Sequence, residues 1–592
     1  MTAHPHVGGT VLGVERSLSG QQWCWRVADE RAVRAVAQRG LPDVVARALV
    51  ARGIGPDEVE GYLSPSLRAS LPDPLVVRDM APAVGRLADA IAGDELIGVF
   101  GDYDVDGATS AALLSRYIQA VGGRARVYVP DRLTEGYGPS APGLGSLRQA
   151  GARVVVTVDC GATALEPLAQ ARAWGLDVVV VDHHLPGPRL PDALVVDPNR
   201  LDDSSALGQL AAVGVTFLLV VALNRVLRER GWFAARAEPD LLGWLDLVAL
   251  GTVCDVVPLV GLNRALVTQG IKVLGRRRNV GLAALADVAR LDERPGAYHL
   301  GYLLGPRINA GGRLGEPDLG VRLLTTEDAD EARRIAARLD AANAERRAIE
   351  ETIVAQALEQ ADAQPPGAIT VVAGEGWHAG VIGIVASRLV ERLRRPAVVV
   401  AVEGGIAKGS GRSVPGADLG AAVLHARQAG LLMSGGGHPM AAGFTCAADR
   451  LYEVAEALER QLAPAVGAIP PTPTLGLDGA LTPEAASVDL HGLVERLGPF
   501  GAGNAEPRFA LVDCRIVRAD VVGTGHVRCI FAGPRQGRVK AIAFRHAETA
   551  IGRALLERGG PPLHLAGTLR ADRWRGEEGV LFVVDDAAQA AP

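Results

Sequence analysis

The sequence predicts an α/β protein: a parallel-sheet domain, a second α/β domain joined to it by a long helix, and a C-terminal OB-like β-barrel. Three observations predict it. Residues 81–200 alternate helical and strand patterns, the rhythm of a parallel sheet covered by helices on both faces. The run VVVV at 178–181 is β-branched and free of polar breaks, as in a strand buried on both faces, and it delivers Asp182, His183 and His184 at its carboxyl end. Beyond a Pro-rich run, five short alternating strands follow with little helix, which suits a small barrel.

Taken in order, residues 1–80 read as a mixed leader with a helix around 43–52. In 81–325, strands at 96–101, 126–129, 153–158 and 177–181 alternate with helices at 84–92, 109–121 and 165–174, and 205–290 is mainly helical. The apolar helix 213–223 is too short to span a bilayer and reads as core. Residues 326–362, rich in Ala, Arg and Glu, form one long helix or two, and the charge spacing suits a solvated connector that only spaces the two halves. The second α/β domain covers 363–462, with strands at 369–373 and 397–402 around a helix at 381–394. The stretch 463–479 reads as a Pro-rich linker, and 480–592 as the barrel.

A chain of 592 residues with 48% apolar residues can bury several cores. The net charge of −6 does not advertise a nucleic-acid binder, but bound cations would offset clustered carboxylates locally. Basic residues can still line one groove. Six cysteines without a CxxC spacing point to a reducing, cytoplasmic setting. The first ten residues lack the basic-then-apolar pattern of a signal peptide.

The chemistry sits at strand ends. In LIGVFGDYDVDGATS (96–110), Asp102, Asp104 and Asp106 alternate in a turn, with a helix starting near Ala108. In an extended segment alternate residues share a face, and three like charges this close call for a cation. Asp159 ends the strand at 153–158, and Asp255 follows the apolar run WLDLVALGTVC. A single Asp at a strand end is commonly a helix cap or a turn residue. Four acidic ends in one sheet domain, one bearing two histidines, outweigh that bland reading. Carboxylates plus imidazole without thiolate suit Mn2+ or Mg2+. The donors outnumber one ion's needs, which points to a two-metal centre of the kind that activates water for attack on phosphorus.

The motifs GDYDVDGATS, VDCG, VDHH and GTVCDVVPL resemble, in order, those of the DHH phosphoesterase superfamily. VPDRLTEGYG (129–138), GPRINAGGRLG (305–315), GWHAGVIGIVASRL (376–389), KGSGRS (408–413) and GGGHPMAAGF (435–444) narrow the resemblance to the RecJ single-strand-specific 5′-to-3′ exonucleases. The resemblance runs over nearly the whole chain. It implies a DHH domain at 81–325, a DHH-associated domain at 363–462, and hydrolysis of single-stranded DNA in repair and recombination. It implies Asp104, Asp106, Asp159, His183 and Asp255 as ligands of two divalent cations, with Asp159 the bridge and Asp102 a weaker candidate. Asp182 is expected to orient His183, and His184 to contact the scissile phosphate or protonate the leaving oxygen.

For the substrate, GPRINAGGRLG offers Arg307, Asn309 and Arg313 on an irregular segment, and KGSGRS offers Lys408, Ser410 and Arg412. GGGHPM offers the amides of Gly436 and Gly437 plus His438. His378 is expected at a helix start and Arg132 just after a strand. Each Gly-rich loop alone is more often a turn, and a lone histidine more often a cap or core residue; their joint order favours function. Pro139 and Pro142 depart from the family's more apolar segment, which leaves that loop's contacts open.

Partners implied are single-stranded DNA, single-strand binding protein and a RecQ-type helicase, with no membrane and a monomeric chain. The alternative is a DHH phosphodiesterase of short oligonucleotides or cyclic dinucleotides, but the leader and barrel argue for a longer polymer. A catalytically dead scaffold should have lost acidic ligands that this chain keeps. A small-molecule pyrophosphatase should carry a histidine where Phe100 stands.

Overall fold

The computed structural model describes residues 7–132, 134–313, 315–470, 472–557, 559–572 and 579–590. Leu133 and Leu314, inside two of the motifs, and residues 1–6 of the leader lie outside that set. The chain forms two compact units, one of residues 73–255 and 270–469, the other of 1–72, 256–269 and 470–592. Among the described residues no helix is long and apolar enough to cross a membrane.

The first unit holds two sheets. In the first, β1 (Leu96–Gly101) leads through α1 (Val105–Ala120) to β2 (Arg124–Tyr128). Then come β3 (Ala152–Val158), β4 (Asp177–Val181) and β5 (Leu194–Val196). The order is β2-β1-β3-β4-β5, all parallel. In this doubly wound order the chain reverses direction between β1 and β3, and ligands bind outside the carboxyl ends of the strands at that point. Asp102 and Asp159 follow those two strands. α2 (Ala212–Glu229) and α3 (Leu245–Cys254) pack on α1. α2 contains the apolar stretch read as core, and Val213 to Val220 are all buried.

The local details differ from the sequence expectation. α1 begins at Val105 rather than near Ala108, because Asp104 caps it by accepting from the Gly107 N–H at 3.0 Å. Asp106 therefore lies in the first helical turn, and the extended alternation argument does not apply to it. Gly107 permits the tight return: a Cβ there would lie 2.6 Å from the Asp102 carbonyl oxygen. Asp255 is not a strand end but the C-terminal cap of α3. GPRINAGGR is not irregular either. It forms α4 (Gly305–Arg313), which continues a π-helical turn at His299–Leu304.

The connector is one helix, α5 (Ala329–Ala363), and more than a solvated spacer. It buries Ile335, Leu339, Ile353 and also Asn343, Arg346 and Glu350, because α4 and the next domain's helix pack along it. In that domain β6 (Thr370–Glu375) leads through α6 (Ile382–Leu393) to β7 (Ala397–Glu403), then β8 (Ile406–Arg412), β9 (Ser434–His438) and β10 (Ala441–Ala447). The order is β9-β10-β8-β7-β6. KGSGRS and GGGH, expected as loops, are thus mainly strand: glycine lets β8 pass close beneath the Phe444 ring, where a Cβ on Gly409 would lie 2.4 Å from it.

The second unit holds a closed five-stranded barrel of Phe509–Val522, His526–Ala532, Arg538–Ala543, Leu563–Asp572 and Gly579–Gln589, sealed by pairing of the first and fourth strands. The supposed linker 463–479 is mostly structured. A helix runs to Gly467, Thr474–Leu477 pairs with the leader strand Gln22–Arg26, and Gly479–Leu481 starts on the barrel. Proline is tolerated where a missing N–H costs nothing, so Pro content alone overstated the linker. The leader is no separate segment: Val33, Val36, Val45 and Leu49 share one core with barrel residues Phe509, Leu511, Phe531 and Phe582.

That shared core carries a prediction. Removing residues 470–592 should unfold the leader, since each buried Val or Leu loses roughly 1.5–3 kcal/mol of burial. Limited proteolysis of the truncated chain should cut within 1–72. A protease-resistant leader would refute the shared core.

Candidate metal centre and phosphate cleft

Eight residues converge at the carboxyl edge of the first sheet. Asp102, Asp106, Asp159 and Asp182 are buried. His183 Nε2 stands at the middle, 3.4 Å from Asp159 Oδ1, 3.6 Å from Asp255 Oδ2 and 3.9 Å from Asp106 Oδ2. Three groups each bring ligand atoms within 4.8 Å of one another: Asp102, Asp104 and Asp159; Asp106, His183 and Asp255; and Asp159, His183 and His184. Asp159 belongs to two of them, as does His183.

Local structure explains these positions. Asp106 accepts from the Ala212 and Val213 amides at 2.7 and 2.9 Å, so the N-terminus of α2 stabilises its charge. Gly251 on α3 lets that helix approach: a Cβ would lie 2.9 Å from Asp106 Oδ1. Asp159 sits at φ 62°, a strained conformation of the sort that persists at functional sites. Asp255, at the negative end of α3, is the group the helix dipole favours least.

The electrostatics call for cations. Burial, then neighbouring carboxylates, hold Asp102, Asp106 and Asp159 well above the usual carboxylate range. Asp255 is pushed up to about 7 by burial and then by Asp104. Burial, then the charge of His184, takes His183 down to about 4, which leaves its imidazole neutral and able to act as a ligand. Asp102 Oδ1, Asp159 Oδ1, His183 Nε2 and Asp255 Oδ2 are buried with no hydrogen-bond partner among the described residues. Such orphans are costly unless something coordinates them, and an oxygen-rich set with one or two imidazoles fits hard divalent cations.

Asp182 differs from expectation. Its Oδ1 lies 2.8 Å from His184 Nδ1, so it orients His184 rather than the His183 ring, and it accepts from the His183 and Ala162 amides. Burial lowers the His184 pKa, but the Asp182 contact outweighs it and raises the ring to about 9. Three residues that the sequence did not single out complete the surround. The Tyr137 hydroxyl donates to the Asp159 carbonyl at 3.0 Å and lies 3.1 Å from His184 Nδ1. Asn199 Nδ2 donates to the His183 carbonyl at 2.6 Å. The Tyr103 ring lies 5.1 Å from the Arg132 guanidinium carbon. Tyr137 was visible in the EGYG motif; nothing in the sequence ties Asn199 to the histidines.

Facing the carboxylates is a basic cleft. Arg412 and His438 both register with Ala441, and Ser410 and Gly436 both with Gly443, so these four share one face of the second sheet. Gly383 on α6 leaves room there: a Cβ would lie 2.9 Å from Ser410 Oγ and 3.4 Å from Arg412 Nη2. Gly437 alternates with them, pairing with Ala442. Arg313 at the end of α4 donates to the Gly380 carbonyl at 2.6 Å, and burial, then Arg132, Arg346 and Arg412, push it down to about 10. Mutually repelling arginines in one cleft favour an anion there. Arg346 came unannounced, from the middle of the connector.

Two expected substrate residues do not fit as expected. Arg307 is committed to Asp340 at 2.8 Å and to the Leu303 carbonyl, because α4 packs its flank against α5. His378 precedes α6 by four residues instead of opening it, and its Nδ1 accepts from the Gly380 amide at 3.1 Å. Asn309 is half-buried on α4. Cys160, next to Asp159, is buried, and the six cysteines are free thiols.

Comparison with known proteins agrees with this architecture. Residues 96–252 match the DHH family N-terminal domain, 365–463 the DHHA1 domain, and 477–586 the RecJ OB domain. The single-stranded-DNA-specific exonuclease RecJ of Dickeya dadantii is 36% identical over 572 residues, spanning 93% of this chain and 98% of that protein. The protein of the same description from Escherichia coli is 35% identical over 568 residues, spanning 92% and 96%. The crystal structure of Thermus thermophilus RecJ in complex with Mn2+ matches at a TM-score of 0.79 and 30% identity, covering 96% of this chain and 79% of that one. Three matched domains in the same order, with identity sustained along almost the full length of these relatives, make this chain a member of the RecJ family of DHH phosphoesterases.

Proposed function

We propose that the chain is a metal-dependent exonuclease that hydrolyses phosphodiester bonds of single-stranded DNA from the 5′ end, in DNA repair and recombination. The observation that carries this reading is the interlocking of three ligand groups through Asp159 and His183, opposite a cleft of arginines. Asp104, Asp106, Asp159, His183 and Asp255 are the proposed ligands, with Asp159 the bridge. Asp102, which joins Asp104 and Asp159 in one group, is a stronger candidate than its sequence context implied. When bound, a pair of Mn2+ or Mg2+ ions supplies an activated water and offsets charge on the phosphoryl oxygens.

The chain's own residues do the rest. His184, held by Asp182, whose contact raises its pKa, contacts the scissile phosphate or gives a proton to the leaving oxygen. Arg412, Arg313, Arg132, Ser410, His438 and the amides of Gly436 and Gly437 hold the terminal phosphate. The barrel is itself a module of the kind that binds single strands. The chain acts as a cytoplasmic monomer, alongside single-strand binding protein and a RecQ-type helicase.

Digestion of single strands labelled at either end, with Mn2+, Mg2+ or EDTA, tests the reading. Release of label from the 5′ end first, only with divalent cation, is expected. Release from the 3′ end first, or equal cutting in EDTA, would refute it. Arg412→Lys should lower affinity for a 5′-phosphorylated strand by roughly tenfold or more, because an ammonium cannot make the bidentate contact of a guanidinium. Equal affinity for phosphorylated and unphosphorylated strands in the wild type would refute the phosphate assignment.

A further inference from the structure

Tyr298 and Tyr302 stand out on the first unit. They are 64% and 70% exposed, and their rings stack on one another with centroids 5.3 Å apart at 25°. Among the described residues exposed large aromatics are few, and no other two of them stack. Their backbone is held from below. Leu300 and Leu304, between and after them, are fully buried, and the Leu300 carbonyl accepts from the Cys254 thiol at 3.4 Å. A Cβ on Gly301 would lie 3.4 Å from Val253. The π-helical turn His299–Leu304 therefore rests on the last turn of α3, the turn that Asp255 caps. π-helical turns recur at functional sites. A groove of about 640 Å³ is lined by apolar side chains together with Lys272, Arg276 and Arg294 and the acids Asp292 and Glu293; Arg277 in it is paired with Asp287, and Pro295, three residues before Tyr298 in sequence, is part of its lining.

We propose that Tyr298 and Tyr302 form a base-stacking platform for single-stranded DNA, on the turn that packs against the Asp255 end of α3 and three residues along the chain from a groove that carries cationic side chains. The proposal rests on the reading of that centre as acting on single strands. Every nucleobase presents a π-face, so an aromatic platform accepts any sequence, while cationic side chains beside it take the backbone phosphates. Two tyrosines already stacked lose little entropy on meeting a base. The ring order set by i and i+4 spacing holds them together on the solvent face.

The test is binding of the full chain to an oligothymidylate strand in EDTA, with one abasic site stepped along the strand. The paired substitution Tyr298→Ala with Tyr302→Ala should weaken binding of the intact strand by about 5- to 150-fold, the range of stacking on one aromatic residue. It should have little effect on a strand whose abasic site falls at the platform. Tyr298→Phe with Tyr302→Phe should bind like wild type. Hydrolysis of a dinucleotide, which engages the centre with the fewest bases, should be unchanged in both variants. The proposal is overturned if the alanine pair binds like wild type, if no abasic position couples to it, or if dinucleotide hydrolysis is lost with it. It is also overturned if the tyrosines instead hold two copies together, seen as a mass that the alanine pair halves. If the wild type hydrolyses no single strand with any divalent cation, the exonuclease reading fails, and the abasic coupling still decides the platform.

Discussion

Asp159→Asn is expected to lower single-strand hydrolysis by at least about 10³-fold, about 4 kcal/mol of transition-state stabilisation, while leaving the fold intact. Asp159 is buried, joins two of the three ligand groups, and leaves Oδ1 with no hydrogen-bond partner among the described residues. An asparagine keeps the volume but removes the charge and one anionic ligand atom, so a centre that needs this carboxylate at its middle loses affinity on both sides. The same change removes a charge that its carboxylate neighbours oppose. In EDTA the variant should therefore melt no lower than wild type. Steady-state hydrolysis in saturating Mn2+, with melting measured in parallel, checks both halves. A rate within tenfold of wild type would sink the assignment of Asp159 as bridge.

Withdrawal of divalent cations is expected to make stability fall as pH rises from about 6.5 to 8.5, and their addition to reverse much of that fall. Burial and mutual repulsion hold Asp102, Asp106 and Asp159 above their ordinary range, and Asp255 lies at about 7. The unfolded chain gives up these protons near pH 3.9. The folded state thus binds more protons, and stability is lost as pH climbs through the folded values. His184, raised to about 9, acts in the same direction above pH 6.5. His183, lowered to about 4, acts oppositely, but only between about pH 4 and its unfolded value near 6.5. Above pH 6.5 the signs agree. A cation that replaces these protons should add about 2.7 kcal/mol per site at 100 times its Kd. At about 2–4 °C per kcal/mol for a domain of this size, the melting point should rise by several degrees, and more at pH 8.5 than at 6.5. A smaller Mn2+ effect at the higher pH would contradict the role of the carboxylates as ligands.

The sequence by itself determined the α/β class, the parallel strands at Leu96–Gly101 and Asp177–Val181 and the barrel strands, and it singled out the acidic and imidazole side chains that the fold brings together at the edge of the first sheet. These follow from local rules: a short β-branched run bounded by turn residues favours a buried strand, and polar donors directly after such a strand lie at the sheet's edge. Tertiary structure alone decided three things. It set which side chains those donors serve: Asp182 pairs with His184, since the turn after β4 brings Nδ1 of the second histidine, not the first, back over the carboxylate. It set the backbone of the Gly-rich motifs, where glycine marks close packing against Phe444 rather than a loop. And it joined the leader to the barrel and brought Arg346 toward Arg313, because the core is built by residues hundreds of positions apart and the cleft by residues on different helices. Periodicity reports which face of an element is apolar; it carries no information about the partner that covers that face.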